Sequence, residues 1–252
     1  MTVSYFSLRL WCCALLAAAL MGTPVLAQGD EGQHGHGGHM AGAAPKGLDF
    51  SRSDDFDFDP PPAGSYRLPV IRPAADGRVL DITGAPQSLR ALFEGKITLL
   101  SFIYTRCTDD QGCPLATAVL HEISDASEVD PMLAKNLRMI SLSFDPEYDT
   151  PEVMANYRGD AASHEPTRAE WLDLTTASDA DLKPILEDYD QVVRRKKDKN
   201  GQPLDTFGHQ LRAYLIDRTG HIRNIYGLGF LDPRLLATDV YTLLLEEGTV
   251  ER

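Results

Sequence analysis

The chain has 252 residues, 43% of them hydrophobic, and a formal net charge of −13 at pH 7. That balance argues against nucleic acid and anionic membrane surfaces as partners, since both are bound chiefly through Lys and Arg. The length accommodates one well-cored domain and a tail.

Residues 1–27 have the layout of a secretory signal peptide: Arg9 as the only charge, an apolar run from Trp11 to Met21, a Gly22–Thr23–Pro24 break and small residues ending at Ala27. The run is shorter than the about 20 residues a membrane span needs, so an uncleaved anchor is the lesser reading. Cleavage removes Arg9 and takes the net charge from −13 to about −14. It also removes Cys12 and Cys13, leaving Cys107 and Cys113 as the cysteines of the mature chain. In an oxidising compartment a disulfide is the default state of such a pair. Residues 28–65 show no apolar periodicity. They hold "GQHGHGGHM" and "SRSDDFDFDPPPAG" and read as a disordered His-rich and acidic tail and linker.

From residue 66 to 252 strands and helices alternate. "GRVLDITG" is a hairpin candidate, and "SLRALFEG" a short helix closed by Gly95. "ITLLSFIY" (97–104) is a continuous apolar run suited to a strand buried on both faces, and "LRMISLSF" (137–144) is a second. Pro114 suits the first turn of a helix whose face carries Leu115, Val119 and Ile123. Thr150–Pro151 starts another helix, with Glu152 at its positive end. "WLDLTTA" (171–177) is a third strand. Leu182, Ile185, Leu186 and Tyr189 have helical spacing, with Pro184 expected to kink or restart the helix. "RAYLID" and "IRNIYG" form a hairpin, and Asp232–Pro233 opens a last helix with Leu236, Val240, Leu243 and Leu244 as its stripe. The alternation indicates an α/β domain with a mixed sheet.

Cys107 falls just past a buried strand and Cys113 at a helix start, where ligands of open α/β sheets commonly bind. The helix terminus and Arg106 favour a thiolate, while Asp109 and Asp110 oppose one. Five residues separate the cysteines, against the two of a C-x-x-C dithiol enzyme. A structural disulfide, a redox couple and the thiolate half of a metal site all remain open. Among the histidines, His34, His36 and His39 lie in the tail beside Met40, and His121, His164 and His221 read as solvated surface residues. His209 differs, because "DTFGHQLRAYLID" puts it directly before a buried strand, after a loop carrying "RRKKDKNG". An ordinary strand-edge histidine is the competing reading there.

"LLSFIYTRC…CP", then "SLSFDPEYDTPEVMANY" and "GHQLRAYLID", in this order and spacing, resemble the Sco/SenC family of copper-binding, thioredoxin-like proteins. The resemblance spans most of residues 67–248. It implies a thioredoxin-like fold, a central mixed sheet flanked by helices, and a copper site formed by Cys107, Cys113 and His209. It also implies delivery of copper to cytochrome oxidase or a related cuproenzyme, from the periplasm, with Asp145 near the metal loop. A turn-and-cap role is the alternative for Asp145. The chain departs from the family pattern with five residues rather than three between its cysteines, and with Gly208 where the family often has Asp.

Soft thiolates favour Cu(I) and zinc, and imidazole suits copper in either the Cu(I) or Cu(II) state. Structural zinc normally takes four protein ligands, and no fourth is apparent. Such a site needs reduced thiols, hence a thiol reductant as partner. The rival reading is a thiol–disulfide oxidoreductase acting on client cysteines through Cys107 and Cys113; peroxiredoxin-like chemistry is weaker, because "YTRC" lacks that family's motif. The tail ligands His34, His36, His39 and Met40 read either as a weak copper-gathering segment or as a solvated spacer. The basic run Arg194–Lys199 reads as a solvated hairpin face, or as a docking patch for an acidic partner.

Overall fold

The computed structural model describes residue 56 and residues 58–109, 112–157 and 167–249. Its centre is a six-stranded mixed sheet. The long middle strands are β4 (Ile97–Ile103) and β5 (Leu137–Ser143), which pair in parallel from Ile97↔Leu137 to Ile103↔Ser143. Every residue of β4 is buried, as its continuous apolar run predicts for a strand covered on both faces. β6 (Glu170–Leu174) extends the sheet in parallel beyond β5. On the other side β4 pairs antiparallel with β9 (Ala213–Ile216), followed by β10 (His221–Tyr226) and the short β1 (Arg72–Pro73). The order is β1-β10-β9-β4-β5-β6.

Side chains that alternate along these strands feed two cores. One face, with Leu99, Met139 and Leu215, packs on α1 (Cys113–Val129), α2 (Pro131–Asn136) and α5 (Pro233–Glu246). The other, with Leu100, Phe102, Leu142 and Tyr214, packs on α3 (Pro151–Ala155), α4 (Asp179–Asp188) and the hairpin of β2 (Arg78–Leu80) with β3 (Pro86–Ser88). The α/β architecture with a mixed central sheet is the expected one. No helix among the described residues is long and apolar enough to cross a membrane.

The structure corrects four expectations. Pro184 lies inside α4 without breaking it. The carbonyl it leaves unpaired belongs to Ala180, and both residues are exposed, so water can satisfy that group. The basic run does lie on a hairpin, β7 (Val193–Lys197) paired antiparallel with β8 (Pro203–His209), but His209 ends a strand of that hairpin rather than following a loop. His121 is not simply solvated: its ring stands 4.8 Å from that of Trp171. The end of the expected linker is ordered on the body. Phe58 packs against Phe230 at 5.8 Å, Arg234 donates to the Phe58 carbonyl, and Gly64 N–H donates to Thr242 Oγ1. Residues 1–55, with the expected signal peptide and with His34, His36, His39 and Met40, lie outside the described residues, as does His164.

Candidate metal centre

Three elements bring three ligand atoms together. Cys107 sits in the turn after β4, where its N–H donates to the Tyr104 carbonyl at 3.2 Å. Cys113 is the first residue of α1, with Pro114 behind it. His209 closes β8. The Cys107 and Cys113 sulfurs and a ring nitrogen of His209 all lie within 4.8 Å of one another, and His209 Nε2 is 3.5 Å from Cys113 Sγ. Cys113 and His209 are 96 positions apart in sequence, so only the fold could join them.

The long cysteine spacing is absorbed locally. Gly112 N–H donates to the Asp109 carbonyl at 2.8 Å, which ties the Cys113 side of the loop to the Cys107 side. Gly112 is packed tightly there: an added Cβ would stand 3.2 Å from that carbonyl and 3.4 Å from Cys107 Sγ. Both cysteines are free thiols, Cys113 fully buried and Cys107 half-buried.

An aromatic wall backs the imidazole. Phe144, Tyr104 and Phe207 surround His209, with Phe144 4.9 Å and Tyr104 6.0 Å from its ring, and they pack on one another at 5.1–5.6 Å. Burial pushes the Cys113 thiol well above its ordinary pKa, with Cys107 adding to the effect and the Tyr104 backbone opposing it. Burial likewise lowers the pKa of His209, so its neutral, ligating form is favoured. The Tyr104 hydroxyl is pushed up to about 12, first by burial and then by the neighbouring thiols. Burial therefore favours the neutral forms of Cys113 and His209, and a soft cation that binds there displaces the Cys113 proton.

Charged side chains hold the loop and the hairpin together. Asp145, only 1% exposed, takes Arg106 at 2.8 Å and Arg195 at 3.4 Å, and Arg195 also pairs with Glu147 at 3.2 Å. Arg106 reaches Asp205 on β8 at 3.3 Å and stacks over Tyr148, 3.9 Å from its ring centre. Arg106 is thus committed to carboxylates rather than to the thiols. Asp149 accepts from Thr105 N–H at 3.0 Å and from the Thr105 and Ser143 hydroxyls, fastening the start of the cysteine loop to the end of β5. The aromatic wall, Arg195 and Asp149 escape sequence reading. The aromatic residues look like core, and the charged contacts span long sequence separations.

The donor set suits a soft ion. A three-coordinate ion with bonds of about 2.0–2.3 Å holds its ligand atoms about 3.5–4 Å apart. Closing this triangle therefore takes a shift of about an ångström or less. Two sulfurs and one imidazole match the preferences of copper, with zinc as the chemical competitor.

The sequence model of the family described as SCO1/SenC matches residues 74–244. Similar folds include apo Sco1 from Thermus thermophilus, 23% identical with a TM-score of 0.56, covering 72% of this chain and 96% of that one. Arabidopsis thaliana ScoI with copper bound is 19% identical, TM-score 0.53, covering 69% and 98%. BsSco, described as a member of the Sco family of cytochrome c oxidase assembly proteins with a disulfide switch, is 23% identical, TM-score 0.51, covering 74% and 99%. No curated protein sequence matches the chain.

Proposed function

The chain belongs to the SCO1/SenC family, and from that membership we propose that it is a copper-binding metallochaperone that delivers copper to cytochrome oxidase or a related apo-cuproenzyme. The copper is cargo, held by Cys107, Cys113 and His209. The observation that carries the reading is the convergence of those three ligand atoms within 4.8 Å. Low coordination suits an ion that must be handed on. Cys107 is the more exposed sulfur and Cys113 the buried one, so an incoming thiol meets the Cys107 side first and exchanges ligands there. Loading requires reduced sulfurs, which assigns a thiol reductant as a second partner. Asp145 serves the site by holding the two arginines that flank the ligands.

In the same proposal residues 1–27 direct export to the periplasm, residues 66–252 form the chaperone domain, and the 28–65 segment contributes a weak, exchangeable metal site through His34, His36, His39 and Met40. A chain lacking residues 28–55 keeps the residues packed on α5, and its copper titration tests that contribution.

A second reading, thiol–disulfide oxidoreductase, is favoured by the two free thiols standing within 4.8 Å of each other. His209→Ala separates the two. The chaperone reading expects tight one-to-one copper binding in the parent and its loss in the variant, with little disulfide reductase turnover in either. Unchanged copper affinity in the variant overturns the ligand set. Substantial turnover that survives the substitution establishes the oxidoreductase instead.

A further inference from the structure

The segment Arg194–Lys199 places five cations and one carboxylate in six residues of a chain whose net charge is −13. Arg195 turns inward to Asp145 and Glu147. Arg194, Lys196, Lys197 and Lys199 are exposed and make no ion pair with another described residue. Most other arginines of the domain are paired, among them Arg72, Arg138, Arg168, Arg218, Arg223 and Arg234. The hairpin thus gathers four cations without an ion pair within six residues.

It begins at the metal ligand itself. Val193 is opposite His209 and Arg194 opposite Gly208 in the β7–β8 ladder. Between the pairs Arg195↔Phe207 and Lys197↔Pro203 the single residue Lys196 stands against Leu204, Asp205 and Thr206, so the extra residues bulge from β8. The Lys196 stem lies over Gly208, its Cε 3.9 Å from where a Cβ on that glycine would stand. Lys196 and, with opposite sign, Asp109 of the cysteine loop both act electrostatically on His209. A fixed cation beside a cation-binding site weakens metal binding by Coulomb repulsion. Four unpaired cations on one short hairpin also repel one another. Neither effect helps to hold the metal, and both are relieved when an anionic surface covers the face.

We infer that the exposed face of the β7–β8 hairpin is the docking surface for the protein that receives the metal, and that the receiving surface is acidic. The inference rests on the metallochaperone reading and adds the face and the charge of the partner. Opposite charge steers the acceptor towards the edge of the fold that carries His209, with a reach of about 8–10 Å at moderate salt.

The probes are two synthetic peptides, each with a Cys-x-x-x-Cys acceptor pair, one flanked by glutamates and the other by lysines. Copper(I) leaves the loaded protein for the glutamate peptide at least about tenfold faster at low salt, and the gap closes near 0.5 M salt. Combined Arg194→Glu, Lys196→Glu and Lys197→Glu substitutions invert the preference while copper stoichiometry stays the same. Serine versions of the peptides, followed by fluorescence anisotropy on the metal-free protein, show the same order of affinity. If copper transfer fails but that order holds, the docking surface stands and the copper reading falls. Equal behaviour of the two peptides, or a preference untouched by charge reversal, overturns the inference. So does patch-dependent binding to phosphatidylglycerol vesicles without discrimination between the peptides, which makes the face a lipid contact.

Discussion

Arg106 and Asp145 meet at 2.8 Å, one side chain next to Cys107 and the other 1% exposed just past the end of β5. The same carboxylate takes Arg195 from β7, so a single buried charge joins the cysteine loop to the hairpin that ends in His209. Asp145→Asn keeps the shape but leaves two guanidiniums without their shared anion. The expected cost is about 2 kcal/mol of stability, since both arginines are partly exposed and water recovers some of the loss. Copper stoichiometry is retained and affinity falls, because loop and hairpin are no longer held in register. Urea unfolding and competitive copper titration check this. An Asp145→Asn protein with unchanged stability and affinity removes Asp145 from the support of the site.

Packing away from the centre makes a different prediction. A Cβ on Gly77 would stand 2.3 Å from Ile185 Cγ1 and 2.4 Å from its Cδ1, and Ile185 is fully buried between α4 and the β2–β3 hairpin. Gly77→Ala therefore overpacks the junction at a cost of about 1–3 kcal/mol. The melting temperature drops by several degrees, while copper binding is unaffected. Adding Ile185→Val removes Cδ1 and recovers part of the loss. Fully additive effects in the double mutant would show that the two residues do not meet.

The legible parts of the sequence were those in which one local pattern met one physical demand. Ile97–Ile103 and Leu137–Ser143 are rich in large apolar residues on both alternating faces, broken only by Thr98, Ser101, Arg138, Ser141 and Ser143, and that pattern suits a strand covered on both faces. Cys113 followed by Pro114 announces a helix start, and Thr150 does cap α3 by accepting from Val153 N–H. His209 stood out because of its place before a buried strand, and the family resemblance joined it to the cysteines. The basic run reads as a hairpin face, but the extent of β7 and β8 and the place of His209 within β8 do not follow from it, because "RRKK" has no apolar alternation. Its strand character comes from tertiary partners, Arg195 stacking 4.8 Å over Phe207 and pairing with Asp145 fifty residues away. Phe144 and Phe207 were missed as the wall of the site because nothing local distinguishes a phenylalanine that packs on a ligand from one that packs on the core.

Asp217 gives a pH signature for the fold independent of the metal. Burial pushes its carboxyl up, but donors from Thr219, His221 and Arg223 outweigh burial and leave its pKa below the ordinary aspartate value of 3.8. A folded-state pKa below the unfolded one means that the stabilisation is present above pH 3.8 and is lost as pH falls through the folded value. Acid unfolding of the parent therefore includes a component from this turn, at the β9–β10 junction where Thr219, His221 and Arg223 all bond to Asp217. Asp217→Asn lowers stability at pH 7 and flattens its pH dependence below pH 4. Parallel stability curves for parent and variant across that range would rule the assignment out.

Redox state and copper compete for the same two sulfurs. Their separation, at most 4.8 Å, must shrink to about 2.05 Å in a disulfide. Forming that bond releases two protons and two electrons to an oxidant such as diamide, and it removes two of the three ligands. A chain lacking residues 1–27, once oxidised, has no free thiol and loses copper(I) affinity by at least a hundredfold, and dithiothreitol restores it. Linkage sets the converse: copper binds only the reduced form, so at a hundred times its Kd it stabilises that form by about 2.7 kcal/mol. For a two-electron couple this raises the midpoint potential by about 60 mV. Thiol counting, copper titration and a redox titration with and without copper measure each part. Equal copper affinity in oxidised and reduced protein would place the metal elsewhere than on Cys107 and Cys113.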